Sequence, residues 1–173
     1  LYRGEHQQAC DEISRFREAS RRSLICRVTL VQVVLDCLTA LSGLHLRRQR
    51  RFGTETVSAA SEAPPLRPSS IRNALRRLEN RREEFPRMLA ALLRGLDYGL
   101  RGRDESAVLM LKSCVELAEG SGAVPYALAA RDALQQLQQP GGESELLRQR
   151  MLDEGVVNPS ALEQLYTVRL HRR

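Results

Sequence analysis

Apolar residues in this chain recur at spacings of three and four, and no stretch shows the strict alternation of a half-buried strand, so helices are the regular structure it can build. Between residues 23 and 46, Leu24, Val28, Val31, Leu35, Leu38 and Ser42 follow one another at four, three, four, three and four. Leu24, Val28, Val31, Leu35 and Leu38 form a seam that asks for a partner helix. Gln32, Asp36, Thr39 and Gly43 share another stripe, expected to be the wetter side of a buried helix. Arg27, Gln32, Asp36 and His45 argue against a membrane span, because each central charge costs about 2.5–3.5 kcal/mol on insertion.

The rest of the chain carries the same period with clear punctuation. Residues 4–22 are amphipathic, with Ile13 and Phe16 among charged neighbours and acids preceding arginines, as the helix dipole favours. From 52 to 69 the pattern gives way to Gly, Thr, Ser, Ala and Pro, which marks a linker. Ser69 and Ser70 are then expected to cap a helix whose Ile71, Ala74, Leu75, Leu78 and Phe85 share a face, and Pro86 to restart the chain over 87–101. Further helices are expected at 104–119, 123–138 and 143–153, separated by Gly120, Gly122 and the Pro140, Gly141, Gly142 turn. A last one opens at Asn158 and Pro159.

The fold expected is therefore all-α. A basic N-terminal helical arm or helix pair (1–51) precedes a linker (52–69) and a helical bundle with antiparallel hairpins (70–173). With 42% hydrophobic residues but only 4% aromatic, the core must be built from Leu, Val and Ala. Cys10, Cys26, Cys37 and Cys114 lack metal-ligand spacing and read as reduced, mostly buried thiols of an intracellular protein. The chain opens on Leu1 rather than Met, as expected of a processed product or part of a longer one.

Of 27 basic residues, 26 are arginine and one is Lys112. Residues 1–51 hold ten arginines against five acids, whereas residues 88–173 hold ten cations against eleven acids, so an anionic partner should meet the N-terminal half. Arg47, Arg48, Arg50 and Arg51, beside His45, are the candidate anion or RNA contact. They also suit the negative end of the preceding helix. Arg72, Arg76, Arg77, Arg81 and Arg82 form a second set, expected to pair with Glu79, Glu83 and Glu84. Aromatics for base stacking are scarce, so any RNA contact would read backbone and shape.

Residues 88–121 have the length of one tetratricopeptide repeat. Gly95 and Tyr98 on the first helix, Gly102 at the turn, and Ala107, Cys114 and Leu117 on the second resemble that family's packing positions. Arg94 and Ala91 depart from the pattern, and no proline closes the second helix near Glu119. Residues 122–155, with Ala129 and Ala133, resemble a degenerate second unit. The resemblance implies protein binding through stacked helices rather than catalysis. Leu1, Tyr2 and Arg3, followed by Phe16, also resemble the signature of the mitochondrial LYR family of small three-helix proteins. That likeness implies a mitochondrial place in respiratory-complex or iron–sulfur assembly, often with an acyl carrier protein.

No metalloprotease HExxH, phosphate loop, dinucleotide fingerprint or paired-Cys metal signature is present, and His6, His45 and His171 are scattered, expected at surfaces or helix ends. No cofactor is expected. The function expected is a non-catalytic scaffold or adaptor subunit bound to other protein subunits. The alternatives are a structural RNA-binding subunit of a ribonucleoprotein such as an organellar ribosome, and a small subunit of a membrane complex.

Overall fold

The structure is a computed structural model that describes residues 6–20, 29–52, 68–138, 149, 151–153, 155 and 170. Among these the chain is all-α, with helices α1 (His6–Ser20), α2 (Thr29–Phe52), α3 (Pro68–Glu79), α4 (Glu84–Leu100), α5 (Asp104–Gly120) and α6 (Val124–Gln138). No strand occurs among the described residues. Leu24, Val28, most of the linker, the 143–148 stretch, the Asn158 cap and the Leu1–Arg3 tripeptide lie outside them.

Each helix packs on the next, and α4 also touches α2 and α6. Three observations show that α2, α4 and α6 run in one direction. Arg47 and Arg51 of α2 meet Asp97 and Gly102 at the end of α4. Phe85 and Tyr126, near the starts of α4 and α6, stack edge to face at 5.8 Å. At the other end, Gly99 and Gln136 both meet Leu170. The middle helix of this row is covered on nearly every side, and its sequence matches: Met88, Leu89, Leu92, Leu93, Leu96 and Leu100 are all buried, with Ala90, Ala91 and Gly95 between them.

Helix boundaries follow backbone chemistry, with one correction. Phe85 does not continue the α3 face, because α3 stops at Glu79 and α4 already begins at Glu84. Pro86 therefore sits in the first turn of α4, where its missing N–H costs nothing. Likewise Pro68 takes the first position of α3, and Ser69 and Ser70 fall inside the helix rather than ahead of it.

The two tight hairpins close in the same way. Arg103 N–H donates to Tyr98 O at 2.9 Å and Gly102 N–H to Gly99 O at 3.0 Å, while Ala123 N–H donates to Ala118 O at 2.7 Å and Gly122 N–H to Glu119 O at 3.3 Å. Both are Schellman closures that need a left-handed residue at the turn, supplied by Gly102 at φ +71° and Gly122 at φ +68°. Between α4 and α5 the helices approach until a Cβ on Gly95 would lie 2.6 Å from Leu111 Cγ and 3.3 Å from the Ala107 carbonyl. Ala107, Leu111 and Cys114 are buried in that contact, with Leu117 and Tyr98 half-buried beside it.

This contact sets a test of the hairpin. Gly95→Ala gains helix propensity but drives its methyl into Leu111, and should destabilise the protein by about 1–3 kcal/mol. Gly120→Ala, whose new methyl meets nothing within 4 Å, should instead stabilise it by up to about 1 kcal/mol. Urea denaturation midpoints of the two variants should move in opposite directions.

Candidate functional site

Among the described residues, a strongly apolar surface lies between α1 and α2. Ile13 and Phe16 of α1 face Leu30, Val31, Val34, Leu35 and Leu38 of α2 across an open groove of about 460 Å³, with Glu12 on its edge. Ile13 and Leu35 are buried, Val31 and Leu38 half-buried, while Phe16, Leu30 and Val34 remain 47%, 61% and 43% exposed. The described part of the predicted seam, Val31, Leu35 and Leu38, therefore meets α1 of the same chain and still presents apolar surface. Leu30 to Val34 to Leu38 advances one turn at a time, so the α2 wall is about 12 Å long.

Beyond the groove, α2 turns from amphipathic to enclosed. Every residue from Thr39 to His45 is buried, and the helix, although long and apolar enough to cross a membrane, has more than half of that stretch covered by the fold. Its stripe of Gln32, Asp36, Thr39 and Gly43 is not a wetter side. Asp36 is 3% exposed and accepts from Arg77 Nε and Nη at 2.7–3.1 Å; Arg81 donates to Gln32 at 2.5 Å; Gly43 lies against Ile71; Thr39 Oγ donates to the Leu35 carbonyl. Two arginines expected to pair locally thus reach across to α2, and antiparallel packing sets their register. His45 is buried too, not exposed at the helix end.

No protein-family model, curated protein or solved structure matches this chain.

The predicted anion cluster is helical throughout, and the fold divides it. Arg47 turns inward to Asp97 of α4, which is 2% exposed and also accepts from Arg101 at 2.7 Å. Arg50 and Arg51 stay on the surface and Arg48 is half-buried. Asp97 was not singled out from the sequence: it lies fifty residues from Arg47, in the leucine-rich half of a helix that reads mainly as core. Of the second set, Arg72, Arg76 and Arg82 are exposed, and Glu79 pairs with Arg94 at 2.5 and 2.9 Å. The arginine that breaks the repeat-like pattern thereby ties α3 to α4.

Among the described residues no three of His, Cys, Asp and Glu gather as a metal site. Burial pushes the Cys37 thiol up to about 12, with the Asp36 charge adding to it, and burial pushes Cys114 to about 12 as well. Both thiols are therefore protonated at neutral pH.

Two measurements follow. Arg77→Leu deprives buried Asp36 of its guanidinium and should cost about 2 kcal/mol in urea unfolding, a figure lowered by the half-exposure of Arg77. Asp36→Asn leaves that arginine to water and should cost less. For the thiols the folded value lies above the unfolded one, so their contribution is complete below about pH 9 and is lost as pH rises toward 12. Labelling of Cys37 and Cys114 by a maleimide at pH 7 should be at least tenfold slower in the native protein than in urea.

Proposed function

We propose that this chain is a non-catalytic adaptor subunit that holds an amphipathic helix of a partner protein in the α1–α2 groove. The observation that carries the reading is the exposure of Phe16, Leu30 and Val34 side by side, on a wall that already follows helical spacing. An incoming helix with apolar residues at i, i+3, i+4 and i+7 would continue the packing that α1 begins.

Two further features support the reading. The α4–α5 hairpin, with Gly95 seated on Leu111 and Ala107, has the close small-residue contact that a tetratricopeptide-like unit uses, and we take it as the rigid frame of the module. Protonated, unpaired thiols at Cys37 and Cys114 suit an intracellular compartment, the mitochondrion included.

Native purification followed by cross-linking from a photoreactive residue at position 34 tests the proposal. A helical segment of one partner subunit should be captured. Val34→Glu and Phe16→Ser should each weaken that complex by about tenfold or more, equivalent to about 1.4 kcal/mol. Leu109→Glu, on the exposed face of α5, should leave it intact. A monomeric chain without a stable partner, or equal loss in all three variants, would refute the proposal.

A further inference from the structure

The last turn of α2 and the α4–α5 turn build one corner from two parts of the sequence. Because α2 and α4 run in the same direction, their negative ends arrive together, and six arginines gather there: Arg47, Arg48, Arg50, Arg51, Arg101 and Arg103. The join is direct. Arg47 and Arg101 share Asp97, and the Arg51 guanidinium lies 3.9 Å from where a Cβ on Gly102 would stand.

Helix-end complementarity accounts for only part of this. Asp97 is held beneath the surface by Arg47 and Arg101, and Asp104 and Glu105 stand in the first turn of α5, where the positive helix end favours them. Within 47–51 and 97–105, three acids thus stand beside six arginines, of which Arg48 and Arg51 also have partners of their own. Arg50 and Arg103 are exposed, and Arg103 makes no side-chain cap to α5. Arg101 gives one nitrogen to Asp97 and has further donors to offer outward.

Among the described side chains the exposed part of the corner is polar. Gln49, Arg50, Arg51 and every residue from Arg101 to Ser106 are exposed, and none of them is apolar. A folded protein partner would need an apolar centre for its interface, which these nine residues do not supply. A phosphodiester backbone needs only forked cations at a convex edge, without base stacking.

We propose that this corner, with Arg50, Arg101 and Arg103 as its outward hands and Arg51 against the Gly102 turn, binds the phosphate backbone of a nucleic-acid strand without reading base or sugar. The site is independent of the apolar groove and stands whether or not the adaptor reading holds. It also differs from the contact expected from sequence, since Arg47 is committed to Asp97 and two arginines from the α4–α5 turn replace it.

Fluorescence anisotropy with a labelled oligouridylate of about 16 nucleotides, titrated across a salt series, tests the proposal. Arg50→Gln combined with Arg103→Gln removes two exposed cations and should weaken binding about tenfold at low salt, reducing the salt slope by about 1.4. Arg72→Gln with Arg76→Gln, an equal charge change at two exposed positions of α3, should leave the slope within error. Oligothymidylate of the same length should bind within about threefold of the RNA, because neither sugar nor base is read. Three results would overturn the proposal: no binding by the unaltered chain at low salt, equal loss in the α3 control, or a polyglutamate peptide displacing the RNA as well as unlabelled RNA does. Unchanged circular dichroism in both double variants keeps a folding defect from imitating the effect.

Discussion

Enclosing α4 is the constraint on which the rest depends. A seventeen-residue helix with leucine or alanine on most sides has only the narrow stripe of Arg87, Arg94 and Tyr98 to offer water, so it is stable only if neighbours cover the rest. Helices α2 and α6 flank it in the same direction, α3 and α5 pack against it, and Leu170 closes the notch at Gly99 with its N–H on Gln136. The hairpin glycines make this geometrically affordable: Gly102 and Gly122 reverse the chain within three residues, and Gly95 lets α5 approach until Leu111 fills the place of a side chain.

Parallel packing of α2 and α4 creates an electrostatic problem as well as a core. Two negative helix ends lie together beside a buried carboxylate, and like charges in a poorly solvated place repel strongly. The arginines at the end of α2 and in the α4–α5 turn answer it from both sides of Asp97. The same solution recurs along α2, where Arg77 grips Asp36 through both Nε and Nη, and between α3 and α4, where Arg94 grips Glu79 in the same manner. Chain ties of this sort use a planar fork that lysine does not possess.

Local chemistry made the helical class, the short antiparallel turns and most helix limits legible. Periods of three and four residues report which face is apolar, and a glycine before a new apolar run reports a left-handed turn. The misreadings share one cause, which is that cross-helix partners are chosen by packing and not by proximity in sequence. Asp36 looked like a wet residue until α3 brought Arg77 to it, and Asp97 looked incidental until α2 brought Arg47. Phe85 fitted the α3 period by spacing alone, while the helix break at 80–83 assigns it to α4 and to Tyr126. Of the seam, Val31, Leu35 and Leu38 were recognisable by spacing, but Phe16 and Val34 became relevant only when α1 was laid beside α2.

The preference for arginine can be divided by what each side chain does. Arg47, Arg77, Arg81 and Arg94 are used inside the fold, where bidentate or directed bonds fix the register of α2, α3 and α4. Structural use explains arginine at those places whatever the origin of the compositional bias, because a lysine would leave Asp36 or Glu79 with a single donor point. It does not explain Arg50 or Arg103, which are exposed and lie at a corner where two basic segments distant in sequence converge. The fold thus distinguishes cations committed to holding helices together from cations held outward by them, with Arg101 serving in both ways, and it is the outward donors that can meet a partner.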